Sequence, residues 1–162
     1  MDEREDQINY RIKIQGEIIN KAIIIEKLID NILLIYFKPE NELLFISHIL
    51  NSSVMHYGGK LKVLYGIINN HNDIRINNSE FENLRRLSSI RNSFAHTNIE
   101  DEYDIHFNNI EDDPFWIIKD SIEIMNSAGK IDSKEPLGIY NDFNKLFNKS
   151  FSYLKNLKDI IK

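Results

Sequence analysis

The feature that most constrains the fold is a long apolar stretch at helical spacing near the start of the chain. Between residues 4 and 37, apolar side chains recur three and four positions apart, which predicts one face of a long helix. Pro39 follows and cannot continue a helix. The most apolar part, 22–37, is interrupted by four polar side chains: Glu26, Lys27, Asp30 and Asn31. We therefore predict a core helix rather than a membrane span.

The rest of the sequence indicates further helices separated by polar loops. Gly58 and Gly59 predict a turn before the third helix. Ser79, with Glu82 three residues later, predicts a capping box at the start of the fourth helix. After the first helix, we predict helices over 40–50, 60–69, 79–96 and 136–162. The expected fold class is an all-α, antiparallel helical bundle.

A short extended insertion is expected after the fourth helix. Residues 100–113 contain seven acidic residues and no basic one. Within this segment apolar side chains alternate, which predicts a short strand or extended arm: Tyr103, Ile105 and Phe107. This acidic segment is either a solvated loop or a surface for a basic partner.

Composition favours one cytoplasmic domain spanning 1–162. The 162 residues suit a single domain, and 42% hydrophobic content is enough for a core. The first six residues are acidic and polar, unlike the start of a signal peptide. There is no cysteine, which excludes disulfides and zinc–thiolate sites. The histidines other than His96 do not have the spacing of metal ligands, so we expect neither a metal nor a cofactor.

The net charge of −5 argues against general nucleic-acid binding, but the charge is unevenly distributed. Residues 60–91 contain six basic and three acidic residues. A local basic face can bind phosphates on an acidic protein. On this basis we predict four RNA-binding residues: Lys60, Lys62, Arg85 and Arg86. The alternative is that these charges are scattered over solvated helix faces.

Arg91 is the first candidate for a functional residue. It follows Leu87 by four positions in the predicted fourth helix, so it should point into that helix's apolar stripe. We predict that this stripe consists of Phe81, Leu84, Leu87, Ile90, Phe94 and Ala95. A buried guanidinium needs a carboxylate, a carbonyl or a phosphate. Glu26 and Asp30 share a face of the first helix and could hold Arg91 in place. The alternative is a structural ion pair with no catalytic role.

His96, five residues after Arg91, is the second candidate. Histidine can move a proton near neutral pH, and arginine can bind phosphate through a fixed fork of donors. Together they can cleave RNA without a metal. In a regular helix the two side chains lie about 140° apart. A joint site therefore requires that the helix end or distort before His96, or that two copies of the chain meet across these helices.

The segment 91–96, Arg-Asn-Ser-Phe-Ala-His, resembles the signature of HEPN domains: an arginine, a polar residue, then a histidine after four to six intervening positions, here four. HEPN proteins are α-helical and usually dimeric, and many are metal-independent endoribonucleases of toxin–antitoxin pairs, phage defence and CRISPR effectors. The resemblance implies a homodimer acting on RNA, with a possible antitoxin partner. It implies catalytic roles for Arg91 and His96, supported by Asn92.

A narrower resemblance is to the mannitol operon repressor family. The run 60–67, followed by the motif at 91–96, is similar to that family, and 22–30 is similar to its first core helix. The likeness spans about 17–107. Members are α-helical and are regarded as regulators that act through protein contacts. The two resemblances imply the same fold and different activities.

Overall fold

The chain forms a bundle of α-helices, with short β-strands between the last two helices. A computed structural model describes residues 3–71, 74, 77–96, 103–106, 115–118, 122–125 and 131–162. The helices within these ranges are α1 (Glu3–Phe37), α2 (Glu42–His48), α3 (Tyr57–Asn69), α4 (Asn78–His96) and α5 (Pro136–Ile161). The strands are β1 (Tyr103–His106), β2 (Phe115–Ile118), β3 (Ile122–Met125) and β4 (Ile131–Lys134).

The long first helix is present as predicted. Its apolar residues at helical spacing turn one face to the core, where six side chains are at most 2% exposed: Ile14, Ile18, Ile25, Ile29, Ile32 and Leu33. α1 ends at Phe37, where Lys38 takes a left-handed backbone conformation with φ 44°. Pro39 follows and disfavours helical geometry in the residue before it. Pro39, which was predicted to stop the first helix, therefore also marks the end of α1 in the structure.

Side-chain contacts give the helix directions. α4 runs antiparallel to α5, because Arg86 pairs with Asp142 while Phe81, one turn earlier, lies against the ring of Tyr153. α1 runs antiparallel to α4, because Gln15 near its start hydrogen-bonds to the carbonyl of Phe94 near the end of α4. The prediction of an all-α bundle is confirmed.

α1 and α5 run in the same direction, which the sequence did not predict. Tyr140 donates to Glu17, and one turn further along both helices Lys21 donates to Asn144 at 2.7 Å. This follows from the order of the helices, since α4 reverses direction relative to α1 and α5 reverses again.

The strands form two small antiparallel sheets. β1 pairs with β2 from Tyr103↔Ile118 to His106↔Phe115, and β3 pairs with β4 from Ile122↔Lys134 to Met125↔Ile131. β3 lies against α4. β1 falls where alternation suggested a strand, and the rest of the predicted acidic insertion, 100–102 and 107–113, lies outside the described residues.

Three details of the sequence prediction are wrong. α3 begins at Tyr57, so Gly58 and Gly59 lie inside its first turn rather than in a loop before it. Ser79 does not cap α4, because the helix begins one residue earlier, at Asn78. The hydroxyl of Ser79 instead donates to Asn77 Oδ1 at 2.7 Å. Ala95, predicted in the apolar stripe, is exposed, because it is rotated by about 100° from the buried Phe94.

α2 contributes no buried residue to the fold. Leu43 at its start is 80% exposed, and Val54 in the loop after it is 68% exposed. In the part of the chain that the structure describes, no helix is both long and apolar enough to cross a bilayer.

Candidate functional site

A cleft opens where α1, the start of α3 and α4 meet, and it contains the arginine of the 91–96 motif. Its volume is about 270 Å³. The polar side chains in its lining come from all three regions: Glu26, Ser52, His56, Tyr57, Ser88, Arg91 and Asn92. The apolar part of the lining is contributed by Ala22, Ile23, Ile25 and Leu87.

Arg91 reaches this cleft because it lies one turn after the buried Leu87 on α4. It is half-buried, and its Nη1 donates to Oδ1 of the neighbouring Asn92 at 2.9 Å. Among the described residues, no carboxylate forms an ion pair with it. A neutral acceptor fixes the guanidinium but leaves its charge uncompensated, so the cleft can bind an anion.

The end of α4 is fixed by packing and by one long-range hydrogen bond. Phe94 is 3% exposed, and its carbonyl, one of the last carbonyls of the helix, accepts from Nε2 of Gln15 at 2.7 Å. α4 continues to His96, so the alternative in which the helix ends before His96 is wrong. The side chain of His96 lies outside the described residues, and its approach to Arg91 across two protomers stays a prediction.

Glu26 and Asp30 pair with a cation other than the one predicted. Nζ of Lys60, on α3, lies 2.7 Å from Glu26 Oε1 and 2.8 Å from Asp30 Oδ1. The prediction that these carboxylates would hold Arg91 is corrected accordingly. The reason is tertiary: α3 packs on the same face of α1 and brings Lys60 to both carboxylates, whereas Arg91 reaches the cleft beside Glu26.

Burial and ion pairing have opposite effects on the pKa values of Lys60 and Asp30. Burial lowers the pKa of Lys60, but its hydrogen bonds with Asp30 and Glu26 outweigh that effect and raise the pKa above its ordinary value. Burial raises the pKa of Asp30, and the hydrogen bond from Lys60 opposes this only in part. Lys60 therefore stays charged, and the cluster of one ammonium and two carboxylates remains rich in acceptors beside the cleft.

The predicted RNA-binding residues do not gather around the cleft. Lys60 is only 2% exposed and engaged by two carboxylates, so its assignment as an RNA contact is corrected. Lys62, Arg85 and Arg86 are exposed, but none of them lines the cleft. Arg85 pairs with an acidic residue of its own helix and Arg86 with one of α5.

His56 is a site residue that the sequence analysis did not single out. It is the N-cap of α3, and its Nδ1 accepts from the backbone N–H of Gly59 at 3.0 Å. A Cβ at Gly59 would lie 3.1 Å from that nitrogen, so glycine allows the ring to fold closely over the helix start. The signal was a histidine two residues before Gly58-Gly59, which becomes informative only when the helix is known to begin at Tyr57.

Tyr57, beside His56, has a structural role. Its hydroxyl donates to the carbonyl of Leu84 at 3.1 Å and so ties α3 to α4. Burial, reinforced by the charge of Glu26, raises the pKa of this phenol. Tyr57 therefore stays neutral and supports one wall of the cleft.

What this cleft binds is inferred from its own side chains. Across the described ranges, no three His, Asp or Glu residues are grouped so that they could hold a metal ion. The chain matches no protein-family model, no curated protein and no solved structure.

Proposed function

We propose that this chain is a metal-independent endoribonuclease of HEPN type that acts as a toxin or in phage defence. Arg91 binds the phosphate, Asn92 orients Arg91, and His96 transfers protons. The observation that carries the proposal is the cleft in which Arg91 is held by Asn92 and, among the described residues, forms no ion pair with a carboxylate.

The reaction uses the RNA itself as the nucleophile. His96 takes the proton of a ribose 2′-hydroxyl, whose oxygen attacks the adjacent phosphorus. Arg91 stabilises the negative charge that grows on the non-bridging oxygens. The bond to the 5′-oxygen breaks, and that oxygen receives a proton as it leaves. The products are a 2′,3′-cyclic phosphate and a 5′-hydroxyl, and DNA, which has no 2′-hydroxyl, is not cleaved.

The direct test is cleavage of total RNA in the presence of EDTA. We expect the wild-type protein to cut RNA and to leave a DNA of the same sequence intact. Arg91→Ala and His96→Ala should each reduce the rate by at least about a hundredfold, the scale of a lost charge-stabilising or proton-transfer group. Asn92→Ala should reduce it less, because Arg91 remains present but is less well oriented.

Lys149→Ala, on the exposed surface of α5 and away from the cleft, is the matched control and should cut like the wild type. Wild-type protein that is folded and dimeric but leaves RNA intact, in the presence and absence of a phage or stress trigger, would contradict the proposal. Relief of expression toxicity by Arg91→Ala would support it independently.

A second candidate is a non-enzymatic regulator or scaffold of the mannitol operon repressor kind. The observation that favours it is the apolar surface of α2 and the loop after it, where Leu43 and Val54 are largely exposed. Such a surface is typical of protein contacts. The same surface is compatible with an antitoxin partner of the ribonuclease, so the cleavage assay decides between the two functions.

A further inference from the structure

We propose that two residues outside the 91–96 motif complete the RNA site. His56 donates to the phosphate that Arg91 holds, and Glu26 accepts from the 2′-hydroxyl of the ribose attached through the 5′-oxygen of that phosphate, which is not the hydroxyl that attacks phosphorus. This inference rests on the proposed function for the identity of the ligand. It makes each protomer's cleft the binding site for one ribonucleotide unit. With about 270 Å³, the cleft lies just below the roughly 300–1,000 Å³ of ligand pockets and suits one such unit.

The hydrogen bonding of His56 fixes which of its nitrogens is free. Because Nδ1 accepts from the N–H of Gly59, a neutral ring carries its proton on Nε2. His56 therefore offers the cleft a hydrogen-bond donor. In this tautomer Nδ1 is occupied by the Gly59 N–H and Nε2 carries a hydrogen, so we assign His56 the role of donor to the phosphate beside Arg91.

Glu26 gives the same cleft an acceptor. Its Oε1 is held at 2.7 Å by the buried ammonium of Lys60, which fixes the carboxylate at the wall that α1 contributes to the cleft. The side chain is 28% exposed, so part of the carboxylate remains accessible to a ligand. A ribose hydroxyl is a donor of the right kind, and the hydroxyls of Ser52 and Ser88 can contribute on the same surface.

The combination of groups distinguishes a nucleotide from a simple anion. Arg91 and His56 favour a phosphate, but the carboxylate of Glu26 repels a compact, highly charged anion. A phosphodiester next to a hydroxyl satisfies all three groups, because its single charge meets the donors and its neutral hydroxyl meets the acceptor. The cleft should therefore prefer RNA to DNA and to inorganic phosphate.

Binding can be measured separately from cleavage in the His96→Ala protein, in which the proposed proton-transfer group is absent. Fluorescence anisotropy would use one short sequence as RNA, as 2′-fluoro RNA and as DNA. RNA should bind about tenfold more tightly than the 2′-fluoro and DNA forms, the effect of one hydrogen bond to a charged group. Glu26→Gln, introduced into the His96→Ala protein, should reduce the preference for RNA to less than about threefold, because a neutral amide accepts more weakly than a carboxylate.

His56→Asn is the variant for the phosphate contact, because asparagine retains the N-cap of α3 while removing the donor at the ring. It should weaken RNA and DNA binding by the same factor, about five- to tenfold. His48→Asn, an exposed histidine on α2 that does not line the cleft, is its matched control and should bind like the parent. Circular dichroism would verify that each variant is folded.

The outcomes separate this inference from the proposed function. Cleavage by the wild type, together with unchanged binding in Glu26→Gln and His56→Asn, would overturn the inference and leave the ribonuclease standing. RNA-selective binding that depends on both residues, without cleavage by the wild type, would support the inference and overturn the ribonuclease. Equal binding of RNA, 2′-fluoro RNA and DNA would overturn the role of Glu26.

Discussion

Lys60 shows how one side chain can connect the core to the candidate site. It is among the most deeply buried side chains of the described residues, yet its ammonium lies within 3 Å of two carboxylates on α1. Removing an ammonium from water is unfavourable unless it is paired and hydrogen-bonded, which Glu26 and Asp30 accomplish together. The same pairing fixes Glu26 at the edge of the cleft, so a structural contact also orients a candidate ligand-binding group.

Lys60→Met should reduce the free energy of unfolding by about 3 kcal/mol, since it leaves two partly buried carboxylates facing each other without a cation. Urea denaturation at neutral pH would measure the change. Lys62→Met, an exposed lysine two residues along the same helix, is the matched control and should change stability by less than about 0.5 kcal/mol. Neutralising both acids, as Glu26→Gln and Asp30→Asn, in the Lys60→Met chain should recover part of the loss. Equal stabilities for the two lysine variants would contradict this account.

At the scale of elements, the parallel pair α1 and α5 has a polar seam at the edge of its apolar contact. Tyr140 donates to Glu17, and Lys21 bonds to Asn144 while its ammonium lies 5.5 Å from the centre of the Tyr140 ring. The hydrogen bond from Tyr140 lowers the pKa of Glu17, and the charges of Lys21 and Lys13 act in the same direction against the effect of burial. Contacts of this kind fix the position of one helix along the axis of the other.

This seam predicts a pH dependence of stability. Because the pKa of Glu17 is lower in the folded chain than its ordinary value of 4.5, its contribution is fully present above that value. It is lost as the pH falls below 4.5 through the folded-state pKa. Tyr140→Phe should therefore lower the Tm at neutral pH and reduce the drop in Tm between neutral pH and pH values below 4.5. Tyr36→Phe, at an exposed position of α1, should melt like the wild type at every pH, and identical pH profiles for both variants would contradict the prediction.

At the scale of the whole molecule, the position of the motif on α4 bears on the assembly. α4 is helical from Asn78 to His96, and in a continuous helix positions 91 and 96 lie about 140° apart. A site that uses both residues is therefore expected to combine Arg91 of one protomer with His96 of another. The exposed side of α4 carries mainly polar side chains, such as Arg85 and Asn92, so this contact is expected to be hydrated.

Mixing two inactive variants tests such a composite site. If Arg91 of one protomer works with His96 of the other, a mixed dimer of Arg91→Ala and His96→Ala chains contains one intact site. Co-expressed chains should then recover about a quarter of wild-type cleavage, because half of randomly formed dimers are mixed and each has one site in place of two. Each variant alone should remain inactive. No recovery from a mixture shown by native mass spectrometry to contain mixed dimers, or a wild-type monomer at micromolar concentration by light scattering, would overturn the composite site.

The sequence by itself determined the helices, because each depends on local information. The apolar period in 4–37 and Pro39 defined α1, and Pro136 marked the start of α5, as the structure has them. The buried face of α4 was predictable for the same reason, since Phe81 through Phe94 recur at helical spacing. The starts of α3 at Tyr57 and of α4 at Asn78 were not predictable from the side-chain pattern alone.

Only the tertiary structure decided which charges meet. Glu26 and Asp30 were predicted to pair with Arg91, and nothing local in the sequence points to Lys60 instead. The packing of α3 on α1 brought Lys60 to the two carboxylates and left Arg91 in a cleft with His56. The physical reason is that helical periodicity fixes the direction of a side chain on its own helix, whereas a pairing also depends on the rotation and offset of the neighbouring helix, which the whole core sets at once.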